Sequence, residues 1–379
     1  MILSAPALFA SNKEPNPWLQ VHSTHFTVIT DAGDKKGKEV ALRFEQMRAV
    51  FAGLFSKDHL NQPLPLTILA FKDEQSYYRL APLMHVSGKT EGMPINVPGF
   101  FLPGGDQDFI ALNLSQGESW RAVASDFAHM LLEYNYPPVQ RWFDEGMDEY
   151  FGSIRVDNTQ VQIGGDPELI AAAIQNQTAS TGNAPETHAA KSFTELLETE
   201  NWIPIPDLFT MEQEVPQAKE SSTDETARSS LYKAESWMVV HYLIHEKRLP
   251  DTGAYFGAVM LQHLPADEAI EKAYGVTTLQ FERAVKDYFH SLAALQTEVD
   301  TSRSNSANAA ITPEPYQYPA LVKPDDSTIT ADPYPEADAR ALYAEIQIRI
   351  PDRRDQGLLA LHNLATTPTP AEIRMEAAN

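Results

Sequence analysis

The stretch Trp120–Phe151 reads W-R-A-V-A-S-D-F-A-H-M-L-L-E-Y-N-Y-P-P-V-Q-R-W-F-D-E-G-M-D-E-Y-F, and it implies two helices joined by a Pro-Pro corner. In the first helix Trp120, Val123, Ala124, Phe127, Leu131 and Tyr134 recur at helical spacing and form one apolar face. At about 100° per residue, Ser125, Asp126, His129 and Glu133 point the other way. Pro137 and Pro138 end this helix, because a proline ring cannot continue it. The second helix begins near Val139 and carries Trp142, Phe143, Gly146, Met147, Tyr150 and Phe151, with Glu145 at the edge of that apolar face.

The arrangement resembles the gluzincin metallopeptidases, in particular the peptidase MA-like domains of bacterial proteins. That family carries H-E-x-x-H on one helix and W-[LF]-[DN]-E-G on the next. Two histidines and the second glutamate bind zinc, and the first glutamate activates the zinc-bound water. By this resemblance His129 matches the second ligand and Glu145, in Trp142-Phe143-Asp144-Glu145-Gly146, the third. Ser125 stands at the first ligand position and Asp126 at the position of the catalytic base. A hydroxyl is a poor zinc ligand beside imidazole, and Asp is one methylene shorter than Glu. The resemblance therefore implies a zincin-like fold whose metal site is degenerate, with no cofactor or only weakly bound zinc.

Composition narrows the partners. The chain has 379 residues and a formal charge of −23, from 52 acidic against 29 basic side chains. That balance argues against nucleic acid, which needs a basic footprint. Cysteine is absent, so a metal would have to be held by His and carboxylates. No apolar run reaches the ~20 residues that span a bilayer, so no integral membrane segment is expected. Residues 1–17 look like the end of a signal peptide without its basic start, or like an unstructured leader. Since the family resembled is commonly exported, a periplasmic or secreted location is expected.

Along the chain, residues 18–31 read as one or two strands, about 37–55 as a long helix, and 64–71 as a buried strand. Asp73 is a candidate helix cap. Residues 85–107, rich in Gly and Pro, read as loops. Residues 108–114 alternate like a strand; the resemblance makes it the sheet edge lining the cleft, with Phe109, Ala111 and Asn113 contacting an extended peptide. A hairpin is expected around Asp157 and Asn158, and polar loops at 178–190 and 211–229. A helix follows at about 230–246. It carries Tyr232-Lys-Ala-Glu-Ser-Trp237, similar to the family's Y-A-x-S-W but with Lys233 inserted. The resemblance makes Tyr232 a candidate hydrogen-bond donor to a transition state; a packed aromatic is the alternative. Three further helices are expected to residue 296, then a linker over 297–334. The last pair, near 335–348 and 354–366, looks like a single tetratricopeptide-type repeat, which should pack on the body or be only loosely ordered, because one unit cannot bury its own face.

The expected fold is α+β: a small N-terminal mixed α/β layer, then a mainly helical subdomain, the two together spanning 18–296. The expected function is a catalytically inactive metallopeptidase-like protein that binds a peptide or protein in the former cleft. Two alternatives stand beside it: an active zinc-dependent endopeptidase with Asp126 as base, and an interaction module using the C-terminal helices. Four acids crowd one and a half turns at Asp144, Glu145, Asp148 and Glu149, which calls for full solvation or a nearby cation. His241 and His245, one turn apart, have metal-ligand spacing but no recognisable acidic third partner.

Overall fold

The computed structural model describes residues 17–57, 59–84, 92–136, 140–156, 160–169, 191–211, 223–302, 317–319 and 328–366. The chain is α+β, with a mixed six-stranded sheet and a helical C-terminal part. Strands β1 (Leu19–His22), β2 (Thr27–Thr30), β3 (Leu66–Phe71), β6 (Gly99–Leu102), β7 (Asp108–Asn113) and β11 (Thr330–Pro333) form it, in the order β11-β1-β2-β3-β7-β6. The pairings β2–β3 and β3–β7 are parallel; β1, β6 and β11 run antiparallel to their neighbours. The small pairs are β4 (Leu83–Met84) with β5 (Met93–Pro94), and β8 (Arg155–Val156) with β9 (Gln160–Gln162) and β10 (Gln317–Pro319).

The central strands are apolar on both faces because both faces are covered. Val28, Ile68, Ile110 and Leu112 face one core; Ile29, Leu69, Phe71, Phe109 and Ala111 alternate with them into the other. Helices α1 (Asp34–Leu54) and α3 (Ala124–Asn135) close the first face, where the Phe127 ring meets Phe44 edge-on at 5.3 Å and Phe26 at 5.7 Å. The second face is covered by α2 (Glu74–Tyr78) and α11 (Glu336–Arg349). Asp73 caps α2, accepting the Ser76 N–H at 2.8 Å. The remaining helices are α4 (Arg141–Gly152), α5 (Phe193–Thr199), α6 (Ile205–Thr210), α7 (Thr223–His245), α8 (Thr252–Phe256), α9 (Ala266–Tyr274), α10 (Thr278–Ser302) and α12 (Arg354–Thr366).

Four expectations need correction. First, β7 is not an edge. Residues 99–102, read within a Gly- and Pro-rich loop, pair along its outer side as β6. Phe109, Ala111 and Asn113 are consequently buried, and Arg349 of α11 lies over the Phe109 ring at 5.0 Å. Second, the stretch 297–334 is more than a linker. It ends α10, adds β10 to the small sheet and supplies β11 to the edge of the large one. A strand at an edge needs backbone groups more than apolar side chains. The Tyr334 N–H bonds the Trp18 carbonyl at 2.8 Å, and antiparallel alternation then turns the missing donor of Pro333 outward. Third, α7 begins at Thr223, inside the stretch read as a polar loop. Fourth, of the two outcomes expected for the C-terminal pair, loose order is ruled out: it packs on the body, as part of the core. Arg353 donates to the carbonyls of Ala81 (3.1 Å) and Tyr78 (2.8 Å), and Ile346 and Ile350 fill the second core. The expectations at residues 1–16, the Pro-Pro corner, the tip of the 157–158 hairpin and the 178–190 loop lie outside the described residues.

Candidate functional site

Packing fixes α3 and α4 against each other before any polar chemistry begins. Trp142 of α4 stacks on Phe209 of α6, with centroids 3.9 Å apart and planes 6° from parallel. Gly146 lies against α7 so closely that a Cβ there would sit 2.3 Å from the Ser236 carbonyl oxygen. The polar sides of α3 and α4 then face one another.

His129 Nδ1 donates to Asp144 Oδ1 at 2.6 Å. That hydrogen bond, with the fields of Asp144, Asp148 and Glu133, outweighs partial burial and pushes the imidazole up to about 9. At neutral pH the ring is a cation. The carboxyl of Asp148 is pushed up to about 7, chiefly by burial and then by Asp144 beside it. Partial burial also raises Asp126, against the pull of His129. The potential ligand atoms of His129, Asp144 and Asp148 lie within 4.8 Å of one another. Among the described residues this is the group that could hold a cation, and a metal would first have to displace the imidazolium proton.

The two ligand positions beside His129 are differently employed. Glu145 Oε1 is 3.0 Å from Arg141 and Oε2 is 3.5 Å from Lys233. Lys233 also meets Glu149 at 2.8 Å. Burial works against the lysine charge, but the hydrogen bonds and fields of Glu149 and Glu145 leave its pKa raised. Ser125 Oγ donates to the Asp148 backbone carbonyl at 2.8 Å, tying α3 to α4. His129, Glu145, Ser125 and Asp126 are thus not a set that fits zinc. One carboxylate is neutralised by two side-chain cations, the imidazole is protonated, and the hydroxyl is bonded elsewhere. No catalytic step through a metal follows from this arrangement. Three of the four crowded acids are answered by protein cations: His129 answers Asp144, Arg141 answers Glu145, and Lys233 answers Glu145 and Glu149, while burial pushes Asp148 toward its neutral form.

Tyr232 lies in the core at 1% exposure, and its hydroxyl has no well-formed hydrogen bond among the described residues. Burial pushes the phenol up to about 12. A substrate cannot reach it there. His241 bridges the Tyr288 hydroxyl (2.9 Å) and the Gly164 carbonyl (3.0 Å) inside the core, and burial lowers it to about 3. His245 is largely exposed beside the Tyr288 ring, so the two histidines share no site. Asp144 and Asp148 were legible only as neighbours of Glu145. Their i,i+4 spacing, which puts both on the face opposite His129, was the signal for them.

The sheet edge expected at β7 is formed by β6. Its outer side has no strand partner among the described residues. The Asn113 N–H bonds the Pro98 carbonyl at 2.8 Å, which makes Phe100 and Leu102 the next hydrogen-bonded partners of β7. Gly99 and Phe101 then turn their N–H and C=O groups outward. No helix is long and apolar enough to cross a membrane among the described residues. No protein-family model and no curated protein matches the chain.

Proposed function

We propose that the chain is a catalytically inactive, gluzincin-like binding protein that takes an extended peptide along the outer edge of β6, which has no strand partner among the described residues. The observation that carries this reading is the lysine ammonium at Glu145. A side-chain cation answers the carboxylate that the resemblance assigns to a metal. The outward backbone groups of the half-buried Phe101 support a peptide partner, since an added strand gains main-chain hydrogen bonds there without changing the fold. The endopeptidase alternative, with Asp126 as base, would need Glu145 released from both Arg141 and Lys233. The alternative of recognition through the C-terminal helices keeps one favourable observation: Leu358 and Leu359 of α12 are exposed, at 52% and 62%.

The test is a binding titration with fluorescently labelled, unstructured casein fragments, read together with amide exchange. The expected result is binding without cleavage, with slowed exchange at Phe101. Cleavage of the fragments, or binding that leaves the Phe101 amide unprotected, would sink the proposal.

A further inference from the structure

Glu235 lies on α7 with no exposed surface. Its Oε1 accepts the Ile203 N–H at 2.8 Å, while Oε2 is buried without a hydrogen-bond partner among the described residues. An ionised carboxylate with an unsolvated oxygen is costly, so the group holds its proton in this position. Burial pushes its pKa up to about 8, against the Ile203 hydrogen bond and the field of Lys286.

The charged groups facing it are Lys286 and Glu282 of α10, which pair with each other at 2.7 Å. Lys286 also rides over the Trp202 ring at 5.5 Å. On the other packed elements, Glu195 and Glu198 of α5 and Asp207 of α6 face solvent. Glu145 and Glu149 of α4 are turned to Lys233.

Ile203 belongs to the strap 200–204 that joins α5 to α6. Trp202 anchors the strap from its other side, donating to the Leu197 carbonyl at 2.9 Å and packing on Phe289. Directly after it, α6 carries Phe209, the ring stacked on Trp142 of α4. One carboxyl therefore fastens the segment that braces the helix bearing Asp144, Glu145 and Asp148.

We propose that Glu235 is a protonation-dependent latch. Neutral, it holds the strap 200–204 on α7 and keeps Phe209 seated on Trp142; ionised, it draws in water and the strap lifts. The inference is independent of the peptide reading, since it concerns the brace behind α4 and not the β6 edge.

The experiment is hydrogen exchange over residues 200–210 in the full chain from pH 6 to pH 9.5, wild type against Glu235→Gln at each pH, so that intrinsic rates cancel. The amide of Gln keeps an acceptor for Ile203 but cannot ionise. The excess exchange of the wild type over the variant should grow with pH up to about 8, where it levels off, and should reach at least about tenfold. Lys286→Met provides a second readout that does not depend on Glu235→Gln folding: losing the cation that favours the ionised form should move the wild-type transition to higher pH. Equal exchange of wild type and Glu235→Gln throughout, or a transition that Lys286→Met leaves in place or lowers, would overturn the latch.

Discussion

Gly146→Ala tests the packing that positions the site. The added Cβ would lie 2.3 Å from the Ser236 carbonyl oxygen and 2.7 Å from Val240 Cγ2. The first contact is about 1 Å inside ordinary van der Waals distance, and its partner is backbone in the middle of α7, which cannot rotate away. Relief requires α4 and α7 to move apart, and overpacking of this kind costs about 3 kcal/mol. Replacing a mid-helix glycine by alanine returns about 1 kcal/mol of helix propensity. The net expectation is a loss of about 2 kcal/mol, read as a lower urea midpoint with an unchanged slope. Gly152→Ala is the control. Its Cβ would meet only the Ser125 hydroxyl, at 3.1 Å, a contact that a shift of a few tenths of an ångström relieves with the Asp148 hydrogen bond kept. It should stay within about 0.5 kcal/mol of the wild type. If Gly146→Ala proved neutral or stabilising, the glycine of W-F-D-E-G would not be there for the α4–α7 crossing, and the reasoning would fail.

His129 should titrate near 9 by NMR, and a midpoint near 6.5 would refute the ion pair with Asp144. Because its folded pKa is raised, the stability it contributes is fully present below about 6.5 and is lost as pH rises through 9. Both partners are partly exposed, so the effect should not exceed about 1 kcal/mol. Arg353→Met leaves the buried Ala81 carbonyl and the part-buried Tyr78 carbonyl without their donor and should cost about 3 kcal/mol in urea unfolding. A cost under about 0.5 kcal/mol would mean that the C-terminal pair is only loosely attached.

Much of the fold was legible because periodicity reports burial. The long helix, the apolar strands and the two faces of α3 follow from it directly. What escaped lies where backbone, not side-chain pattern, decides. The four residues Gly99–Leu102 are too short to show a period, and Thr330–Pro333 carries almost no apolar signal because an edge strand needs little. Mistaking β7 for the edge followed from missing β6. At the site, the helix pair and its polar faces could be read from sequence, but the assignment of partners could not. Lys233 looked like an insertion that spoils a motif. In space it is the counter-charge of Glu145 and Glu149, brought there by α7, more than eighty positions along the chain from them.

The central claim is that the α3–α4 helix pair uses protein cations where a peptidase would use zinc. Metal analysis of the protein purified without chelators tests it most directly, extended to Ser125→His/Asp126→Glu with and without Arg141→Ala/Lys233→Ala. The account predicts far less than one zinc per chain in the unaltered protein and in the double variant. A marked gain is expected once Arg141 and Lys233 are also removed and Glu145 is freed to act as a ligand. One tightly held zinc in the unaltered protein, with peptide cleavage that a chelator abolishes, would contradict it.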